Sequence, residues 1–154
     1  MALGGPAIGL DASYAAQATQ VAAIRRDVGD YATRHGADAD TLVRIGLAVS
    51  EAATNAVLHA YRMPGMSGSI HVTAGDSGGV LDVCVRDEGC GMSPRPDSPG
   101  LGLGLCLMAH EADHFEIGAG DDGGTAIVLR FALKAGVDPA SQRAALGQGA
   151  GART

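Results

Sequence analysis

Between Asp38 and Tyr61 a single segment carries two different faces on one helical period. Leu42, Ile45, Val49, Ala53, Ala56 and Ala60 fall on one stripe at 100° per residue, and such a stripe must be buried. Glu51, Asn55 and His59 recur at i, i+4 and i+8, so they stand one above the other on a separate flank. Ala48 and Ala52 adjoin that flank and predict room for a ligand beside it. Asp38 or Asp40 can cap the start of the helix, and Met63-Pro64-Gly65 ends it. A helix built this way needs a second layer to pack on.

The rest of the sequence supplies that layer as strands. Residues 69–74 and 80–86 alternate apolar and polar side chains around Asp76-Ser77-Gly78-Gly79, which reads as a β-hairpin. Residues 114–119 and 125–133 form a second pair around Gly120 to Gly124. Residues 6–12 allow a short first strand. Over 13–34, Ala18, Val21, Ala22, Ile24, Val28 and Tyr31 keep helical spacing until His35-Gly36. A third helix is predicted over 103–112. Helices on one side and hairpins on the other predict an α+β fold: a two-layer sandwich with a largely antiparallel or mixed sheet covered on one face. At 154 residues one domain is expected, over 1–133. Residues 134–154 lack an apolar period and read as a flexible tail.

Composition removes several functions. The formal charge is −6, which argues against a nucleic-acid backbone as the main partner. Lys134 is the one lysine, so there is no Walker-type Gly-Lys-Ser/Thr phosphate loop. The three cysteines, Cys84, Cys90 and Cys106, form no CxxC and predict neither a disulfide framework nor a zinc site. No apolar run approaches the ~20 residues of a membrane span, and the N-terminus lacks a signal-peptide pattern. The expected setting is the cytoplasm, with no membrane partner.

Three further motifs carry chemistry. Asp87 follows an apolar strand and leads into Gly89-Cys90-Gly91. A carboxylate there can accept a hydrogen bond from an exocyclic amino group, and the glycines let main chain approach a flat ring. Gly100, Gly102 and Gly104 alternate with Leu101, Leu103 and Leu105 just before a helix, where free amides favour anionic oxygens. Thr125, after Gly123-Gly124, can reach a base edge. Arg95 lies in the preceding loop, within reach of a terminal phosphate. Each motif alone has an ordinary reading as a solvated flank, a turn or a hinge; together they describe a nucleotide site.

The run from Ile45 to Tyr61 resembles the N box of the ATPase superfamily of gyrase, MutL and the histidine kinases. Val85 to Met92 resembles its first glycine box, Gly100 to Leu105 its second, and Gly124-Thr125 its closing motif. The wording from Ala48 to Tyr61, and Ala112-Asp113, are most similar to the bacterial anti-sigma factor serine kinases. The resemblance implies a Bergerat (GHKL) sandwich holding ATP or ADP with Mg²⁺. It implies Glu51 as general base and Asn55 as magnesium ligand, with His59 beside them. Asp87, Gly89, Gly91, Met92 and Thr125 are implied at the base. Gly100, Leu101, Gly102, Leu103, Gly104 and Leu105 are implied along the phosphates. The implied partners are a sigma factor and an anti-anti-sigma protein that is phosphorylated on Ser or Thr, and a homodimer is compatible with the family. Two other functions stay open: an ATP-binding interaction module without turnover, and a stand-alone ATPase or phosphotransfer fragment.

Overall fold

The chain runs β1 (Ala7–Ala15), a 3-10 turn (Ala18–Gln20), α1 (Val21–Arg34), α2 (Ala39–Asn55), β2 (Ser69–Asp76), β3 (Val80–Asp87), α3 (Leu101–Glu111), β4 (His114–Ala119) and β5 (Thr125–Ala132). This is a computed structural model, and it describes residues 7–60, 67–89, 101–121 and 123–134, with the side chains of 59, 60, 101 and 102 left aside. The sheet order is β1-β2-β3-β5-β4. Every pairing among these strands is antiparallel, so the mixed option drops out.

Turn chemistry sets both hairpins. Gly78 and Gly79 take positive φ between β2 and β3, and the Gly79 amide donates to Asp76 Oδ1 at 2.9 Å. Between β4 and β5, Gly123 has φ of 87° and the Gly120 amide donates to the Gly124 carbonyl at 2.8 Å. The pleat then places Val72, Val83, Leu129 and Phe131 on the inner face, fully buried under the helices. Ile24, Val28, Ile45 and Val49 meet them from above. Each such side chain contributes about 1.5–3 kcal/mol on burial.

Asp38 is the cap of α2. Its Oδ1 accepts the Thr41 amide at 2.8 Å, and the carboxyl is lowered to about 2, by Thr41 first and Lys134 next. After Asn55 the helix widens into a π-type turn over Ala56–Ala60, a feature frequent at functional sites. The combined stretch Ala39–Leu58 has the length and mean hydropathy (1.2) of a membrane span. A reading of uninterrupted apolar runs passes over it, because Arg44 and Glu51 break the run. Its apolar stripe lies in the core of this fold.

Three expectations from the sequence are corrected. Residues 13–15 are strand, not helix: β1 is nine residues long and pairs Ser13 with His71, Tyr14 with Ile70 and Ala15 with Ser69. Ladder hydrogen bonds outweigh the helical preference of Ser13-Tyr14-Ala15, in which only Ala15 is a strong helix former. Ala48 and Ala52 are 0% exposed and belong to the core, so they leave no open room beside the polar flank. Of the glycine run, Gly102 and Gly104 do not precede α3 but lie within it, since the helix begins at Leu101. The register of β1 slips between Ile8 and Leu10. Gly9 sits there because a Cβ would stand 2.5 Å from the ring of Tyr31.

Candidate functional site

Asp87 ends β3 on the inner face, following Val83 and Val85 in the alternation, and is 9% exposed. Its Oδ1 accepts two amides, Gly89 at 3.0 Å and Thr125 at 3.4 Å. Burial pushes the carboxyl up, and these two bonds pull against it. Oδ2 receives no protein donor among the described residues. Thr125 is buried at the start of β5, and Gly124 before it packs main chain to main chain on Asp87. A sharp turn thus holds a buried carboxylate with one oxygen left for another donor.

Glu51 and Asn55 project from the last turns of α2, Glu51 half-buried and Asn55 buried. Across from them stands Gly104 of α3. A Cβ on Gly104 would lie 3.0 Å from Glu51 Oε2 and 3.6 Å from Asn55 Oδ1. The Asn55 Nδ2 atom is buried with no hydrogen-bond partner. An unpaired buried donor costs about 1–3 kcal/mol, and such a group calls for a reason. The π-type turn that follows Asn55 packs against β3, the strand that ends in Asp87.

The amides of Leu101, Gly102 and Leu103 belong to the first turn of α3, where a helix supplies no acceptor of its own. Unpaired amides at a helix start can bind anionic oxygens. Leu103 is 80% exposed and Leu105 is partly buried against the core. At the far end, Asp113 Oδ1 accepts Arg44 at 3.0 Å and Oδ2 accepts the Ala132 amide at 2.7 Å. The Ala132 bond first, then Arg44, holds this carboxyl low. The clamp fixes α3 to α2 and β5. Sequence reading noted Asp113 for resemblance alone and missed Arg44, 69 positions away.

Gly91, Met92, Gly100, Arg95 and Cys90 lie outside the described residues. His59 has its backbone in the π-type turn, and Leu101 and Gly102 have theirs in α3. Glu51, Asn55 and Gly104 come together on one side; Asp87, Gly89 and Thr125 come together on the other. A groove of about 550 Å³ between α1 and α2, lined in part by Arg25, Leu42, Leu47 and Ser50, opens onto Glu51.

A family model described as histidine kinase-like ATPase domain matches residues 14–131. The anti-sigma F factor of Halalkalibacterium halodurans is 27% identical over 133 residues, covering 79% of this chain and 90% of that protein. That of Clostridium acetobutylicum is 28% identical over 137 residues, covering 80% and 94%. Among solved structures, the histidine kinase domain of the Erythrobacter litoralis blue-light activated histidine kinase matches with a TM-score of 0.53 at 26% identity. That match covers 75% of this chain and 60% of the kinase domain, so the chain spans less than two thirds of it. The match over most of the chain, together with the shared sheet and helices, means that this chain belongs to the histidine kinase-like ATPase domain family.

Proposed function

We propose that this chain is an ATP-binding anti-sigma factor and a protein serine/threonine kinase. In this reading it phosphorylates an anti-anti-sigma antagonist and sequesters a sigma factor. The observation that carries it is the contact of Gly104 with Glu51 and Asn55. A glycine there lets the start of α3, with its amides for phosphate, come up close against a carboxylate and an amide. The names of the relatives, anti-sigma F factors, support the choice of partner.

Asp87 Oδ2 accepts the adenine amino group, while Thr125 and Gly89 fix the carboxylate through Oδ1. The α3 amides bind the phosphates. Asn55 would offer Mg²⁺ a neutral oxygen, while its buried Nδ2, which lacks a partner, calls for an acceptor such as a phosphate oxygen. Among the described residues no cluster of three or more His, Cys, Asp or Glu side chains forms a cage, which agrees with a cation held mostly by phosphate and water. When bound, the ion screens phosphate charge. Glu51 takes the proton of the acceptor hydroxyl, which reaches it along the α1–α2 groove. The hydroxyl oxygen bonds to the terminal phosphorus as that phosphorus parts from the bridging oxygen, and ADP leaves. The proposed setting is the cytoplasm, and a homodimer is part of the same reading.

The test is transfer of labelled phosphate from ATP to a purified antagonist. Glu51→Ala is expected to keep ATP binding and lose about 10²–10⁴-fold in transfer. Tight ATP binding by the wild type without transfer to any antagonist would leave the interaction-module reading in its place.

A further inference from the structure

The sheet face turned away from the helices carries a line of polar side chains that ends behind Asp87. Arg86 precedes that residue on β3, and the pleat sends its side chain to the opposite face. Its Nη2 lies 2.7 Å from His71 Nδ1, straight across the ladder, since the two residues are register partners. Arginine keeps its protons in proteins, so the guanidinium donates and Nδ1 accepts. The ring is then neutral with its proton on Nε2, which donates to Asp11 of β1. On the other side Arg86 Nη1 is 4.0 Å from Asp121 Oδ2. Asp121 belongs to the β4–β5 turn, the same turn that presses Gly124 on Asp87 and sends the Thr125 amide to its carboxylate. His71, Arg86, Glu88 and Asp121 line a cavity of about 100 Å³ at this point.

We propose that Arg86 is a positioning residue for the base-binding carboxylate, tying the end of β3 to the β4–β5 turn, and that His71 holds it in place only while the imidazole is neutral. This rests on the nucleotide reading of Asp87. A proton on Nδ1 removes the acceptor and sets a second cation beside the guanidinium. The charged groups around the ring are Asp11 from β1, Arg86 from β3, Glu88 just after it and Asp121 from the turn. With Nδ1 protonated, the guanidinium has no acceptor on the ring and must move away. Asp121 is almost fully exposed, and its pair with Arg86 is a weak one. Losing the His71 anchor therefore frees the turn by a modest amount, about three- to tenfold in nucleotide affinity.

The experiment compares the wild-type chain with His71→Gln and Arg86→Lys between pH 8 and pH 5.5. Glutamine can accept from Arg86 and donate to Asp11, and it does not titrate in this range. ADP affinity is measured by calorimetry, and the Gly89 and Thr125 amide shifts are followed by NMR without nucleotide. The wild type is expected to lose about three- to tenfold in affinity at acid pH beyond any loss in His71→Gln. Its two amide shifts should show a pH-dependent inflection that His71→Gln lacks. Arg86→Lys, which still donates to His71, should keep the inflection. Matching profiles for wild type and His71→Gln would overturn the proposal, as would imidazole nitrogen shifts showing the proton on Nδ1 at pH 8. If no variant binds ADP at any pH, the nucleotide reading fails, and the amide shifts alone decide whether His71 positions the turn.

Discussion

A Cβ on Gly124 would stand 1.8 Å from the carbonyl oxygen of Asp87 and 2.6 Å from its carbonyl carbon. The obstacle is main chain, which cannot rotate aside as a side-chain end does. Gly124→Ala must therefore push the β4–β5 turn away from β3 and carry the Thr125 amide off Asp87 Oδ1. Overpacking of this kind costs about 1–3 kcal/mol. Urea melts should show that loss, and calorimetry should show that ADP binding goes with it. A variant that melts like the wild type would mean that the two segments are not in contact.

Gly104 presents the opposite case. Its close neighbour is the end of the Glu51 side chain, at 3.0 Å. Within α3 alanine is favoured over glycine by about 1 kcal/mol. Gly104→Ala should melt no earlier than the wild type, yet transfer phosphate at least about tenfold more slowly, because the methyl displaces the base. A labelled-ATP assay and a thermal melt on the same sample check both halves.

Asp87 is a carboxyl raised by burial. A folded value above the unfolded one means that the native state binds the proton more readily. The unliganded fold therefore gains stability as pH falls through that raised value and loses it as the group ionises. Asp87→Asn removes the buried charge. Its melting temperature at neutral pH should equal or exceed that of the wild type. Nucleotide affinity should fall by the worth of a charge-assisted hydrogen bond, about 1.5–3 kcal/mol.

Asp113 runs the other way. Its carboxyl is lowered, by the Ala132 amide first and Arg44 next. Its contribution is present above the unfolded carboxylate value and disappears as pH falls through the folded one. The side chain is 46% exposed, so solvent screens the Arg44 pair. Asp113→Ala should cost about 1–2 kcal/mol at neutral pH, and urea melts at low pH should show the gap to wild type closing.

Asn55 holds a buried Nδ2 with no partner. Asn55→Ala removes that penalty while leaving a small cavity, and terms of about 1–3 kcal/mol oppose one another. Stability should change little, and the magnesium dependence of ADP binding should vanish. Calorimetry with and without the ion reads this directly.

Local physics made much of this protein legible in its sequence. The period of Ile45, Val49 and Ala53 marked the buried stripe of α2, and the acidic residues before it offered Asp38 or Asp40 as the cap, of which the fold uses Asp38. Glycine pairs marked both hairpin turns, because positive φ leaves few other choices. Alternation within 69–74 and 80–86 marked strands β2 and β3 of the sheet. Each of these signals lies within a few residues of its structural consequence.

What lay beyond the sequence depends on segments distant along the chain. Residues 13–15 became strand because β2 offered them a ladder. Ala48 and Ala52 turned inward because the helix packs over a wider arc than its large apolar residues trace. The approach of Gly104 to Glu51 and Asn55, the seat of Gly124 on Asp87 and the reach of Arg86 to His71 each join residues that no local period relates. Sequence determined the elements, their turns and the residues offered for chemistry. Tertiary packing alone decided which of those residues meet, because contact energies are collected after the chain has closed on itself.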